Sequence, residues 1–205
     1  METQTLLMTD PTAKDRAIKT IRQGGLVVFP TDTVYGVAAD VRSSAAIERL
    51  FEAKGRDASK AIPVLLGAPE QLDQVSPGAG EMAYRLARFF WPGPLTLVIP
   101  RNEDLPQVLS PGPTVGVRMP DHEFTLSLLR SVGPLATTSA NRSSEPNPLT
   151  AQDALEQLKG RVELVIDGGP CPGGLPSTVV DCTGEEPVIL RPGPISLEDL
   201  LSSLG

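Results

Sequence analysis

Ala17-Ile18-Lys19-Thr20-Ile21-Arg22-Gln23-Gly24-Gly25-Leu26-Val27-Val28-Phe29-Pro30 carries the fold class in one short stretch. Ala17, Ile18 and Ile21 share one face at helical spacing, and the Gly24-Gly25 pair is a helix stop. Leu26 to Phe29 then runs apolar without alternation into Pro30, as a short buried strand does. Helix, glycine stop, buried strand: that order is the building unit of an α/β domain.

The same change of period recurs along the chain. A helix is predicted to begin at Ser43 or Ser44, a natural N-cap, to bury Ile47, Leu50 and Phe51, and to stop at Gly55. Further helices are predicted around Met82, Leu86 and Phe89, over Phe124–Val132, over Ala151–Leu158 and over Ser196–Leu204. Strands are predicted at Ile62–Leu66, Leu95–Ile99, Val115–Arg118, Leu135–Thr138, Leu164–Asp167, Thr178–Asp181 and Val188–Leu190. Several connections are too short for crossover helices, so antiparallel pairs are expected among the parallel ones. With no repeat or linker in its 205 residues, the chain reads as a single domain, 1–205.

Composition narrows the function. There are 21 Pro and 19 Gly in 205 residues, about one residue in five, against a usual ~12%. Shaped loops rather than low complexity follow, and such loops carry chemistry. A net charge of −7 argues against bulk binding of nucleic acid, which needs a broad positive field. No apolar run suits a membrane span, and Met1 to Asp10 is polar, unlike a signal peptide. Cys171 and Cys182 lie in no metal or redox spacing, which fits a reducing cytoplasm. The one histidine, His122, sits in Pro-Asp-His-Glu and reads as a surface or helix-start residue rather than a catalytic base.

Five polar constellations stand out. Lys54 extends the apolar row Ile47, Leu50, Phe51, so it lies on its helix's buried face. Its stem could simply pack there, the amine complementing the helix C-terminus. Gly55 permits the chain to turn back and bring Arg56 beside it, a pairing suited to phosphates. Thr137-Thr138-Ser139-Ala140-Asn141 ends an apolar strand in hydroxyls and an amide, and can either bind oxygens or satisfy its own turn. In Phe29-Pro-Thr-Asp-Thr-Val-Tyr-Gly36, strand alternation would set Thr31, Thr33 and Tyr35 on one face. Arg118 closes a strand in Val-Arg-Met-Pro, and the loop Asp167 to Pro176, rich in Gly and Pro, leads into Ser177-Thr178. That loop lacks the Lys-Ser/Thr signature of a P-loop.

In chain order, Pro-Thr-Asp-Thr-Val-Tyr-Gly, Lys-x-Arg, Trp-Pro-Gly-Pro-Leu-Thr, Val-Arg-Met-Pro, Ser-Ala-Asn, Ser-Thr-Val-Val-Asp and Leu-Arg-Pro-Gly resemble the YrdC/TsaC family over residues 13–195. The resemblance implies a twisted mixed sheet with flanking helices around a concave nucleotide cleft. It implies an enzyme, an L-threonylcarbamoyladenylate synthase, that converts ATP, L-threonine and bicarbonate or CO2 to threonylcarbamoyl-AMP and pyrophosphate for tRNA modification beside the anticodon. By the same carry-over Lys54, Arg56, Ser139 and Asn141 are the catalytic set and bind ATP with Thr114, Asn147 and Arg191. Thr31, Tyr35, Arg118, Thr137 and Ser177 bind threonine. Mg2+ is expected to arrive with ATP, since no carboxylate cage is evident, and tRNA or protein partners are expected to take the product. The alternatives are a noncatalytic RNA-binding or ribosome-assembly protein of the same fold, or a nucleotide-binding paralogue with another substrate.

Overall fold

The computed structural model describes residues 2–205. Its elements are β1 (Gln4–Leu7), α1 (Ala13–Arg22), β2 (Val27–Phe29), β3 (Gly36–Asp40), α2 (Ser44–Lys54), β4 (Val64–Leu65), α3 (Leu72–Val75), α4 (Glu81–Phe90) and β5 (Leu95–Pro100). Then follow β6 (Thr114–Arg118), α5 (Glu123–Val132), β7 (Leu135–Ser139), α6 (Ala151–Leu158), β8 (Leu164–Asp167), β9 (Thr178–Asp181), β10 (Val188–Arg191) and α7 (Leu197–Leu204). All ten strands join one mixed sheet in the order β1-β8-β2-β3-β7-β4-β6-β5-β9-β10. Short connections give antiparallel pairs, as in β2/β3, β5/β6 and β9/β10. Strands β4 and β6, and β5 and β9, pair in parallel.

Helices cover the two faces unequally, and this makes the site. On one face α2, α4, α6 and α7 bury Ile47, Leu50, Leu86, Leu158 and Leu200 against Leu95, Leu97, Ile99, Val115 and Val117. On the other, α1 and α5 pack Ala13, Ala17, Ile21, Leu128 and Leu129 over Val27, Phe29, Ala38, Leu135 and Ile166. Of the strands β4, β5, β6 and β9, only β4, through Leu65, contributes to that second core. Alternation sends Leu95, Leu97 and Ile99 into the first core and leaves Thr96 and Val98 on the uncovered face. In β6 the same parity buries Val115 and Val117 and turns Gly116 and Arg118 to the uncovered face.

Local chemistry sets the helix ends. Ser43 caps α2 by accepting a hydrogen bond from the Ala46 N–H. Gly55 ends it in the left-handed region, φ 58°, so the Arg56 N–H reaches the Phe51 carbonyl. Thr150 with Asp153 and Ser196 with Asp199 form reciprocal capping boxes on α6 and α7.

Three expectations change. The apolar row proposed for α4 is wrong at Phe89, which is 69% exposed; Ala83 and Leu86 make the buried face instead. Residues 30–35 form a turn, not a strand, so period-two alternation does not hold there. β1 and β3 were not anticipated: β1 is a mostly exposed edge strand of four residues, and β3 is a short buried run directly after the polar motif that reads as strand-like. Leu86→Ala should cost about 2–5 kcal/mol, whereas Phe89→Ser should stay within ~0.5 kcal/mol of wild type; urea denaturation measures both.

Candidate active site

The uncovered half of the sheet floors a cleft of about 580 Å³, within the ~300–1,000 Å³ of small-molecule sites. Its lining includes Thr31, Thr33, Arg56, Thr96, Gly116, Arg118, Thr137, Thr138, Ser139, Asn147, Ser177, Val179 and Arg191. Facing register positions explain the grouping: Leu65 opposes Arg118, Gly116 opposes Val98, and Val179 opposes both Thr96 and Arg191. Three guanidinium groups and many hydroxyls thus meet where no acidic side chain lines the wall. Such a surface suits a polyanion.

Arg118 is the fixed point. It is buried at 7% exposure, donating from Nε to the Gly93 carbonyl at 3.0 Å and from its terminal nitrogens to Thr33 Oγ1 at 2.9 Å and to the Asp32 carboxylate. Burial lowers its pKa, the Asp32 carboxylate opposes that shift, and Arg191 adds to it; a guanidinium nonetheless keeps its charge. The Thr31–Val34 turn is held from within, Thr31 Oγ1 donating to the Val34 carbonyl at 2.7 Å and accepting from the Thr33 N–H at 3.1 Å. Ser177 is held by Arg191, whose Nη2 lies 2.7 Å from the Ser177 carbonyl and 3.1 Å from its hydroxyl, and by Thr96 Oγ1 at 2.8 Å.

The Lys54, Arg56, Ser139 and Asn141 set divides. Arg56 and Ser139 line the cleft, whereas Lys54 and Asn141 lie beneath it. The Lys54 amine donates to the Ser139 and Asn141 carbonyls and to Asn141 Oδ1, and the Asn141 amide donates to the Glu145 carbonyl at 2.6 Å. Lys54 therefore clasps the loop that presents Ser139. Burial, with the Arg56 charge adding to it, pulls its pKa down from 10.5 to about 7. Arg56 donates to the Ala61 carbonyl at 2.9 Å, while its buried Nε has no partner among the described residues. An orphaned buried donor in a cleft wall invites an acceptor from a ligand.

Other expected residues fall as follows. Thr31, Arg118, Thr137 and Ser177 come together at the cleft, as do Asn147 and Arg191. Thr114 shares the parity of Gly116 but lies one position beyond the lining, beside Pro100. Tyr35 is not on the wall. Because the segment before it turns, its ring points into the core, and its hydroxyl donates to the Gly169 carbonyl at 2.6 Å and accepts from the Gly168 N–H at 3.1 Å. Burial pushes this hydroxyl's pKa up to about 12. Tyr35 thus ties down the loop 168–176 rather than meeting a ligand. His122 is the N-cap residue of α5, half-buried, with burial lowering its pKa. Thr33 and Thr96 escaped the site set; the signal for Thr96 was a lone hydroxyl amid Leu95, Leu97 and Ile99.

Two glycines permit close packing here. A Cβ on Gly173 would sit 2.5 Å from the Asp32 carbonyl, and one on Gly193 would sit 2.4 Å from the Thr178 nitrogen and 2.7 Å from the Ser177 carbonyl carbon. The Gly/Pro-rich loop and the Arg-Pro-Gly run therefore press directly on the Asp32 turn and on Ser177.

Fold and cleft together define an α/β domain with a cleft lined by guanidinium groups and hydroxyls. The chain belongs to the Sua5/YciO/YrdC family: the family model, described as "Telomere recombination", matches residues 19–193. A threonylcarbamoyl-AMP synthase of Pyrococcus abyssi is 46% identical over 187 residues, 90% of this chain and 55% of that protein. A relative from Mycobacterium tuberculosis is 41% identical over 208 residues, covering 99% of this chain and 96% of its own length. The crystal structure of P. abyssi Sua5 complexed with L-threonine superposes with a TM-score of 0.91 at 41% identity, over all of this chain and 60% of that one. The chain spans little more than half the length of the Pyrococcus relative.

Two outcomes follow. Lys54 binds its proton less tightly folded than unfolded, so its burial penalty is full below pH 7 and shrinks as pH rises from about 7 toward 10.5. The stability difference between wild type and Lys54→Met should therefore move toward wild type over that range, measured by urea midpoints at several pH values. Tyr35→Phe should cost about 1–3 kcal/mol by leaving the Gly169 carbonyl unpaired, and should loosen 168–176 in hydrogen exchange.

Proposed function

We propose that this chain forms threonylcarbamoyl-AMP and pyrophosphate from ATP, L-threonine and bicarbonate or CO2. The observation that carries this reading is the convergence of Arg56, Arg118 and Arg191 with the hydroxyls of Thr31, Thr137, Ser139 and Ser177 in one cleft. The named activity of the Pyrococcus relative and the L-threonine in its structure support it.

The chemistry follows from charge. The deprotonated threonine amine adds to CO2 with loss of a proton, or to bicarbonate with loss of water, to give an N-carboxylate, and that carboxylate attacks the α-phosphorus while pyrophosphate leaves. Nucleophile and triphosphate are both anionic, so the protein must hold them together against repulsion. Arg56, with its orphaned Nε, and Arg191 take the phosphate side with Ser139; Arg118 takes the amino-acid carboxylate, beside Thr31, Thr137 and Ser177. Lys54 and Asn141 act from below by fixing Ser139. Asn147 lies on the wall for the nucleotide.

Among the described residues no group of three or more His, Cys, Asp or Glu is placed to hold a metal. The lining supplies neutral oxygens and guanidinium groups, which do not fit a protein-held dication, so Mg2+ enters on the nucleotide's own phosphates. No described helix is long and apolar enough to cross a membrane, and the two buried free thiols suit a reducing cytoplasm. The product then serves tRNA modification through tRNA or protein partners that transfer the threonylcarbamoyl group.

The test is direct. The chain with ATP, L-threonine, bicarbonate and Mg2+ should release pyrophosphate and a threonine-dependent adenylate; no product under conditions where a related synthase works would sink the reading. Arg56→Ala should lower kcat/KM by about 100-fold or more while shifting the urea midpoint little, since the guanidinium supports a ligand rather than the core.

A further inference from the structure

Thr96 is the one hydroxyl residue of β5, and it lines the cleft. Among the described residues its side chain has a single hydrogen-bond partner, the Ser177 hydroxyl at 2.8 Å. Both residues are buried, each at 4% exposure. The parallel ladder of β5 and β9 brings them together: Leu95 pairs with Thr178 and Thr96 with Val179, so Thr96 lies diagonal to Ser177 on the cleft face. The Thr96 rotamer is held from the other side. A Cβ on Gly116 would sit 3.3 Å from the Thr96 γ-methyl, so that methyl lies against the gap this glycine leaves in β6. Fixing the methyl of a β-branched side chain fixes its hydroxyl as well.

The hydrogens of this pair can be counted. A serine hydroxyl has two lone pairs and one hydrogen. Arg191 Nη2, at 3.1 Å, fills one lone pair of Ser177 Oγ. The contact with Thr96 uses either the second lone pair or the hydrogen. In both cases one hydroxyl hydrogen of the pair is left without an acceptor among the described residues. A buried donor without an acceptor on a cleft wall calls for an oxygen from a ligand.

The surroundings set the charge of that oxygen and the direction of the bond. Thr96 and Arg118 both follow the Leu97–Val117 pair on the cleft face, and Arg118 also feels the charge of Arg191. The hydroxyl pair thus belongs to a wall with two mutually repelling guanidinium groups and no acidic side chain, where an anionic oxygen is the favoured acceptor. Arg191 polarises Ser177 and makes it the stronger donor of the two, and the stronger donor goes to the anion. Thr96 then donates to Ser177. We infer that Thr96 is a positioning residue: it takes the last lone pair of Ser177 and leaves that serine able only to donate, toward a carboxylate oxygen of the amino-acid substrate. This assignment rests on the synthase reading and adds to it a residue that acts on the substrate only through another.

A double-mutant cycle on L-threonine affinity, followed by NMR titration at neutral pH, tests the assignment. Thr96→Val keeps the shape and removes the hydroxyl, and Ser177→Ala removes the donor. Thr96→Val should weaken L-threonine binding by about tenfold, Ser177→Ala by as much or more, and the double variant should match Ser177→Ala within about twofold. Thr96→Ser restores the hydroxyl and should bind within about threefold of wild type. A double variant weaker than Ser177→Ala by the full Thr96→Val factor would mean that Thr96 meets the ligand or supports the wall by itself, and would overturn the assignment. So would wild-type affinity in Thr96→Val, or a Thr96→Ser protein no better than Thr96→Val. Should Thr96→Val not fold, Thr96→Ala runs the same cycle, with urea midpoints separating stability from affinity. Failure of wild type to bind L-threonine removes the synthase reading and this inference together. Binding by wild type with no coupling between Thr96 and Ser177 removes the inference alone.

Discussion

A guanidinium buried this deeply has to be matched on several sides at once, and the matching of Arg118 organises the site. Its partners come from the Asp32-Thr33 turn and the Gly93 carbonyl before β5, while its own strand, β6, lies between β4 and β5. Removing one member of such a buried pair leaves a charge without a counterpart, typically about 3–5 kcal/mol. Two loops distant in sequence are therefore held in register with the sheet by one side chain. The Gly/Pro-rich loop then locks onto the same turn, the Gly174 N–H donating to the Thr33 carbonyl at 3.0 Å and Tyr35 gripping Gly168 and Gly169.

A second clasp works on the opposite wall. Lys54 reaches from the last turn of α2 to the carbonyls of Ser139 and Asn141, and its own carbonyl accepts from the Ser143 N–H at 2.8 Å. Lys54 thus serves as a structural rivet, Arg118 holds its two loops while lining the cleft, and Arg56 and Arg191 line it as well. A chain with net charge −7 can still present a cationic cleft: no acidic side chain lines it, and Asp32, on the adjoining turn, is paired with Arg118.

Much of this was legible in the sequence. Helix periodicity and the Gly24-Gly25 and Gly55 stops gave the end of α1 and both ends of α2 nearly to the residue, since local signals set helix ends. Arg56, Ser139, Arg118, Thr137 and Ser177, singled out through their motifs, line the cleft. What failed were inferences that needed tertiary context. Phe89 has helical spacing, but it lies off the buried face that Ala83 and Leu86 form. Tyr35 belongs to a polar motif, yet the turn before it reverses its direction. Whether Lys54 meets ligand or loop depends on where β7 ends, and a one-dimensional pattern holds no such distance. The unequal helical cover of the sheet, which creates the cleft, is a property of chain length and crossing geometry rather than of any motif.

The sheet also sets how the cleft comes into being. Gly36 opposes Ser139, Leu65 opposes Arg118, and Thr96 meets Ser177, so its walls are assembled from segments far apart in the chain. Contacts of such long separation form late and together in folding. A bound ligand consequently stabilises the entire domain rather than one corner of it, and heat or denaturant should abolish binding and global structure in a single transition.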